Sequence, residues 1–446
     1  MLRKNTIFAR ASGVGKAGVA VFRLSGPSSL SISESFLSSR ELKHRNATFA
    51  KIYHPVDNSF IDDGIILYFQ APNSFTGEDV VEFHLHGSLA VSNIFTEAIL
   101  SFDNIRMAEP GEFAKRAFLN GKMDLTSAEG LADLIDAETK FQHKQASRQM
   151  NGELERLYGS FRAMLLKILA LLEAYIDFPD EDIPESVTQE MESNVLYLKK
   201  RLIEHLDDNR RGERLKNGLY LSIFGAPNAG KSSLVNFLAQ RNVSIVSEYA
   251  GTTRDVVEVH LDIGGFPIII ADTAGMREGA SDFVEQEGIA RAKKNVESAD
   301  IKILVVDAAG TEKSLDLRLL DMVDDNTIIL LNKIDLGLNF ELPILGAHVI
   351  KSSVKSSIGM DLLLEKITEL ATKLAMPLET PAITRLRYRS NITKSIECLN
   401  NFEYSEDIIL KAEDIRLAAK YLSILTGKID VESIIGEIFS NFCIGK

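Results

Sequence analysis

Apolar and polar positions change their period three times along this chain. From Thr6 to about Asn120, short apolar runs such as 18–24 and 80–85 alternate with glycines, which predicts the strands and turns of an α+β domain. From Ser127 to about Lys216 the helical period dominates, with long amphipathic stretches at 128–150 and 153–178. The longest apolar run, 163–176, is interrupted by Lys167 and Glu173; it predicts a buried helix and is too short to span a bilayer. Between 217 and 376 the pattern becomes compact apolar runs, 219–224, 267–271, 327–331 and 348–350, each ending in a polar or glycine-rich loop. Pro377 and Pro381 close this stretch, and helical segments resume at 386–402, 407–425 and 431–442. Helices on both sides of an α/β unit predict one discontinuous all-α domain with that unit inserted in it. The expected boundaries are 1–120 (α+β), 121–216 (helical, first part), 217–376 (α/β) and 377–446 (helical, second part).

The chemistry sits at the ends of the apolar runs in the α/β stretch. Gly225-Ala226-Pro227-Asn228-Ala229-Gly230-Lys231-Ser232-Ser233 follows a strand and precedes a helical pattern, the context of a phosphate-binding loop. There backbone N–H groups curl around phosphates, Lys231 reaches the β/γ oxygens and the Ser232 hydroxyl ligates Mg2+. Run 267–271 delivers Asp272-Thr273-Ala274-Gly275, an acid followed by a glycine whose N–H senses a γ-phosphate. Run 327–331 ends in Asn332-Lys333-Ile334-Asp335. The Asp335 carboxylate accepts both ring and exocyclic N–H donors of guanine, a pair adenine lacks, so GTP is favoured over ATP. Ser353-Val354-Lys355 fits the loop behind the base. Between these elements lies Gly251-Thr252-Thr253-Arg254-Asp255, where Thr253 is the candidate switch threonine that completes the Mg2+ shell. Met276 follows Gly275, where Ras-like GTPases carry a water-orienting glutamine. A thioether cannot do that work, and the acidic positions Glu278, Asp282, Glu285 and Glu287 are the nearest supply of a replacement.

Composition narrows the setting. With 446 residues, 45% hydrophobic and 25% charged, the chain has material for about three soluble domains. Two cysteines, Cys398 and Cys443, make neither a disulfide framework nor a zinc site, and no apolar stretch of signal length follows the basic N-terminus, so a cytoplasmic location is expected. A net charge of −13 argues against a broad nucleic-acid-binding surface. The dense basic clusters are Arg210-Arg211 with Arg214 and Lys216, and Arg385, Arg387 and Arg389, each expected to be a solvated face or hinge. His84 and His86 have no third ligand of matching spacing and are expected to be core or turn histidines. The terminal Cys443-Ile444-Gly445-Lys446 is a poor prenylation box. The residues alone leave open a GTP-toggled assembly or signalling switch, although neither flank supplies a basic RNA-binding module; an ATP-driven motor conflicts with Asp335.

Four further stretches carry a resemblance: Thr6-Ile7-Phe8-Ala9 through Arg23-Leu24-Ser25-Gly26-Pro27; Asn73-Ser74-Phe75-Thr76-Gly77-Glu78-Asp79-Val80; Pro110-Gly111-Glu112-Phe113 through Lys122-Met123-Asp124-Leu125; and Phe442-Cys443-Ile444-Gly445-Lys446. With Gly251-Thr252-Thr253-Arg254-Asp255, they make the whole chain resemble the MnmE (TrmE) family of tRNA modification GTPases. The resemblance implies a cytoplasmic homodimer whose N-terminal domain (1–120) binds a tetrahydrofolate derivative, in 5-formyl or methylene form, and mediates dimerisation. It implies a partner, the FAD-dependent flavoprotein MnmG, and a tRNA substrate. The product would be 5-(carboxymethyl)aminomethyl uridine at the wobble position. Folate residues map to Arg23, Glu82, Lys122 and Lys446. A potassium ion would be held by Asn228, Ser247, Tyr249 and Thr252, neutralising transition-state charge where other GTPases use an arginine. Glu285 matches the water-orienting carboxylate and joins Lys231 and Thr253 as the expected catalytic set, with one extra residue at Gly279-Ala280-Ser281. Ala226 and Val354 depart from the common residues of their loops.

Overall fold

A computed structural model describes residues 5–38, 41–178, 185–241, 258–270, 295–310, 317–338, 348–377, 379–429, 432–440 and 442–445. These fall into two compact units: Met1–Ala132 with Met150–Arg162 and Lys420–Lys446, and Asp133–Gln149 with Ala163–Ala419.

The first unit is built on a six-stranded sheet. Its strands are β1 (Thr6–Arg10), β2 (Ala17–Ser25), β3 (Ala47–Tyr53), β4 (Phe60–Phe69), β5 (Val80–Gly87) and β6 (Ile105–Met107), in the order β3-β4-β5-β2-β1-β6. All pairs are antiparallel except β1 with β6. Alternation decides the faces: Phe22 and Leu24 of β2 and Val81, Phe83 and Leu85 of β5 pack on Phe95 of the helix Leu89–Leu100. Phe95 touches Phe22 and Phe83 at ring separations of 5.2 and 4.9 Å. The intervening residues Arg23, Glu82 and His84 therefore share the opposite face. The helix Glu112–Leu119 packs through Ala114 and Phe118 on Phe439 of the helix Glu432–Ser440, and Gly111 N–H donates to the Cys443 carbonyl at 3.3 Å. The two ends of the sequence thus belong to one core.

The second unit contains a sheet of β7 (Leu219–Gly225), β8 (Val259–Ile263), β9 (Phe266–Ile270), β10 (Ile301–Asp307), β11 (Thr327–Asn332) and β12 (His348–Lys351), ordered β12-β11-β10-β7-β9-β8. Every pair is parallel except the β8–β9 hairpin. The near-continuous apolar strands follow from burial on both faces. In β10, Ile301, Ile303 and Val305 join the core under the helices Lys231–Arg241 and Met360–Ala375, while Leu304 and Val306 fill the other side with Phe224 and Leu331.

The same unit also carries helices Lys140–Met150, Glu185–Leu206, Arg211–Asn217 and Leu386–Tyr404. The sequence pattern predicts one helix over 128–150; the structure has Leu125–Asp136 and Lys140–Met150 instead. The break has a local cause: Gln142 Oε1 accepts from the N–H groups of Glu138 and Thr139, and Thr139 Oγ1 accepts from Gln142 N–H at 3.4 Å, so the second helix starts with its own cap. The apolar run at 163–176 lies in the helix Glu153–Asp177 and buries Leu165, Ile168 and Leu172. Among the described residues no helix is long and apolar enough to cross a membrane.

Candidate functional site

The strand β7 runs into the phosphate-loop segment, and two glycines fix its course. Gly225 has φ +148° and a Cβ there would lie 2.2 Å from the Val305 carbonyl oxygen; Gly230 has φ +105° and a Cβ would lie 2.2 Å from Asn332 Nδ2. Asn228 is exposed with φ +61°, a conformation asparagine tolerates. Ala229 is buried, and Lys231, Ser232 and Ser233 open the helix Lys231–Arg241, whose N-terminal dipole favours anions. Lys231 Nζ donates to the carbonyls of Gly225 and Ala226 at 3.0 and 2.8 Å, folded back over the loop. Burial pushes its ammonium below the usual lysine range.

Asn332, 3% exposed at the end of β11, joins three of the expected segments. Its amide Nδ2 donates to the Ala229 carbonyl at 2.9 Å, and its Oδ1 accepts from Val354 N–H at 3.1 Å. Lys333 turns into the left-handed region, φ +66°, and pairs with Asp307 Oδ2 at 2.7 Å. That turn starts the short 3-10 helix Ile334–Leu336 and leaves Asp335 exposed. Ser353 and Val354 are buried, Lys355 is exposed, and Ser353 Oγ accepts from Ser356 N–H at 3.3 Å. Phosphate loop and both base-side loops are therefore physically connected. Sequence reasoning gave Asn332 to the nucleotide; its bridging hydrogen bonds are a role only the tertiary contacts reveal, as is the Asp307 partner of Lys333. The candidates Ser247, Tyr249, Thr252, Thr253, Asp272, Thr273, Ala274, Gly275 and Glu285 lie outside the described residues.

A second constellation occupies the first unit. Arg23 and Glu82 are register partners on β2 and β5, and Glu82 Oε1 accepts from Arg23 Nε at 2.8 Å. The guanidinium lies 5.6 Å from the ring centres of both Phe75 and Phe113. Lys122 Nζ donates to the Pro72 carbonyl at 2.9 Å, so it is tied to the loop that carries Phe75 but makes no direct bond to the Arg23–Glu82 pair. Lys446 lies outside the described residues; its neighbour Gly445 is buried. Of the two histidines, His84 is half-buried, whereas His86 is exposed, contrary to a core or turn role, and its Nδ1 bonds Asp62 Oδ1 at 2.7 Å. Asp62 and Asp63 come from β4 and bring donor atoms within 4.8 Å of one another and of His86. Both Asp62 oxygens already serve His86, one through its ring and one through its backbone N–H.

Family models match in two blocks: the GTP-binding protein TrmE N-terminus over residues 6–122, and the MnmE helical domain over residues 125–443. The tRNA modification GTPase MnmE of Rickettsia rickettsii (strain Sheila Smith) is 51% identical over 443 residues, covering 99% of this chain and all of the relative. The chain belongs to the MnmE family. The same-named protein of Rickettsia typhi is 50% identical over 443 residues, with the same coverage. The G domain of the T. maritima FeoB iron transporter aligns with 34% of this chain and 98% of its own at 30% identity, but at a TM-score of 0.27 it carries no argument. The MnmE helical match begins before the α/β sheet and ends after it, so this MnmE-family chain is multidomain, with an α+β N-terminal domain, a discontinuous helical domain and an inserted α/β domain.

Proposed function

We propose that this chain is a GTP hydrolase acting in tRNA wobble-uridine modification. The observation that carries the reading is the Asn332 bridge, which joins the phosphate loop at Ala229 to the base-side loop at Val354. A nucleotide bound there would have its phosphates at Lys231 and its base at Asp335. Triphosphate oxygens would replace the two carbonyls that now hold Lys231 Nζ. The hard oxygen donor of Ser232 at the helix start suits Mg2+, with Thr253 as second protein ligand. The exposed Asn228 offers an amide oxygen suited to K+, with Ser247, Tyr249 and Thr252 completing the set. Glu285 would orient the attacking water.

The finer reading is a cytoplasmic homodimer that works with an MnmG-type flavoprotein and tRNA and draws on a tetrahydrofolate-bound one-carbon unit. Arg23 and Glu82 supply the charge and hydrogen-bonding groups for such a ligand, with Lys122 and Lys446 for its carboxylates. The boundaries 1–120, 121–216, 217–376 and 377–446 belong to the same proposal.

Steady-state GTP hydrolysis in potassium and in sodium, over a range of protein concentrations, tests it. The expected result is a rate per molecule that rises with protein concentration only in potassium. Equal rates in both salts would remove the potassium mechanism and leave a nucleotide-binding switch. Asp335→Asn is expected to shift preference from guanine to xanthine nucleotides; retained GTP affinity would undo the base assignment.

A further inference from the structure

Among the described residues, Glu82 uses one carboxylate oxygen twice and leaves the other nearly untouched. Arg23 Nε and Nη2 both approach Oε1 at 2.8 Å, while the neighbour of Oε2 is His84 Nε2 at 3.5 Å, too long for a sound hydrogen bond. His84 Nε2 is itself buried and has no hydrogen-bond partner among the described residues. Buried polar nitrogens in native proteins are nearly always satisfied, so an orphan at a ligand site calls for a partner. The cross-strand neighbours of His84 are Val21 and Ile65, whose side chains carry no polar atom. A carboxylate oxygen facing Nε2 selects the tautomer with the proton on that nitrogen, because the other tautomer would set a lone pair against a negative charge.

Two residues apart on one face of β5, Glu82 and His84 therefore offer an acceptor beside a donor. A 2-amino-4-oxo heterocycle presents the complement along one edge: an amino N–H and a ring N–H, then a carbonyl oxygen. We propose that His84 is a specificity-determining residue of the Arg23–Glu82 site, its Nε2–H donating to the 4-oxo group while Glu82 takes the neighbouring N–H donors. The assignment rests on the folate reading above and adds to it the atom by which the ring is recognised.

The test compares binding of 5-formyltetrahydrofolate and of its 4-amino analogue to the full chain, wild type and variants, with thermal melts to verify folding. Wild type is expected to prefer the 4-oxo ligand. His84→Ala is expected to weaken that ligand by a factor of about ten, the worth of one hydrogen bond left unmade, and to leave the 4-amino analogue unchanged. His84→Gln retains an N–H donor and is expected to restore the preference. Unchanged affinity in a folded His84→Ala, or equal loss for both ligands, overturns the role of His84 while leaving the folate site in place. Failure of wild type to bind either ligand removes the folate reading, and this assignment with it.

Discussion

Asn332 carries more structural weight than a base-contacting residue needs. Its two buried bonds hold the Ala229 carbonyl and the Val354 N–H, groups that would otherwise be stranded away from water. Asn332→Ala is expected to cost about 2 kcal/mol or more of stability and to weaken guanine nucleotide binding with it. Urea unfolding and fluorescent-nucleotide titration of the same sample measure both, and loss of affinity with no loss of stability would count against the bridge. Lys231→Met is expected to differ: nucleotide binding collapses, while stability changes by less than about 1 kcal/mol because the lysine is already partly desolvated. His205, in the helix Glu185–Leu206, sets a pH limit. Burial pushes its imidazole down to about 4 from 6.5, an effect partly opposed by Asp208. Between those values the unfolded chain binds a proton that the folded chain refuses, so stability falls as pH drops from about 6.5 to about 4 and levels off below. The full effect is on the order of 3 kcal/mol. Thermal melts at pH 7 and pH 5 should separate wild type from His205→Gln, whose profile is expected to be flatter over that window.

At the scale of elements, the β8–β9 hairpin shows which features a linear pattern makes legible. The apolar run before Asp272 announced β9, and the compact apolar runs at 219–224 and 327–331 announced β7 and β11, because the period of a run is a local property. The break at 137–139 was not legible, since the flanking amphipathic pattern reads through it without a proline or glycine. Its purpose appears only in contacts: the Phe141 ring packs tilted against Phe266 at 4.5 Å and its N–H donates to Gly265 O at 3.3 Å, while Gln142 Nε2 bonds the Lys216 carbonyl at 3.2 Å. A helix running through 137–139 would not place Phe141 on the hairpin turn. Phe141→Ala is expected to cost about 2 kcal/mol, below the range for a fully buried phenylalanine, and to lower the melting temperature without abolishing nucleotide binding. An unchanged melting temperature would mean that the aromatic contact contributes nothing.

For the molecule as a whole, charge decides how nucleic acid is met. Three of the seven clustered cations turn inward: Arg385 forms a bidentate pair with Asp133, Arg389 joins Asp208 and Glu213, and Arg214 bonds Asp300, while Arg210 stays exposed. Arg387 lies over the Tyr388 ring. With Arg214, Arg385 and Arg389 held in internal ion pairs and a net charge of −13, the chain alone is expected to bind tRNA weakly. The slope of log affinity against log salt should correspond to fewer than about three phosphates, and steepen when the proposed flavoprotein partner is added. A steep slope for the chain alone would reveal a basic surface elsewhere. The sequence by itself determined the strands β7, β9, β11 and β12, the helical flanks and the family, because each is written as an unbroken run of neighbours. The Asn332 bridge, the Arg23–Glu82 pair beside a His84 nitrogen that has no partner among the described residues, the exposure of His86 and the internal ion pairs of Arg214, Arg385 and Arg389 were decided only by the tertiary structure. They depend on side chains from distant strands and helices meeting, and no spacing along the chain encodes which carboxylate or carbonyl will stand opposite a given donor once the sheets have closed.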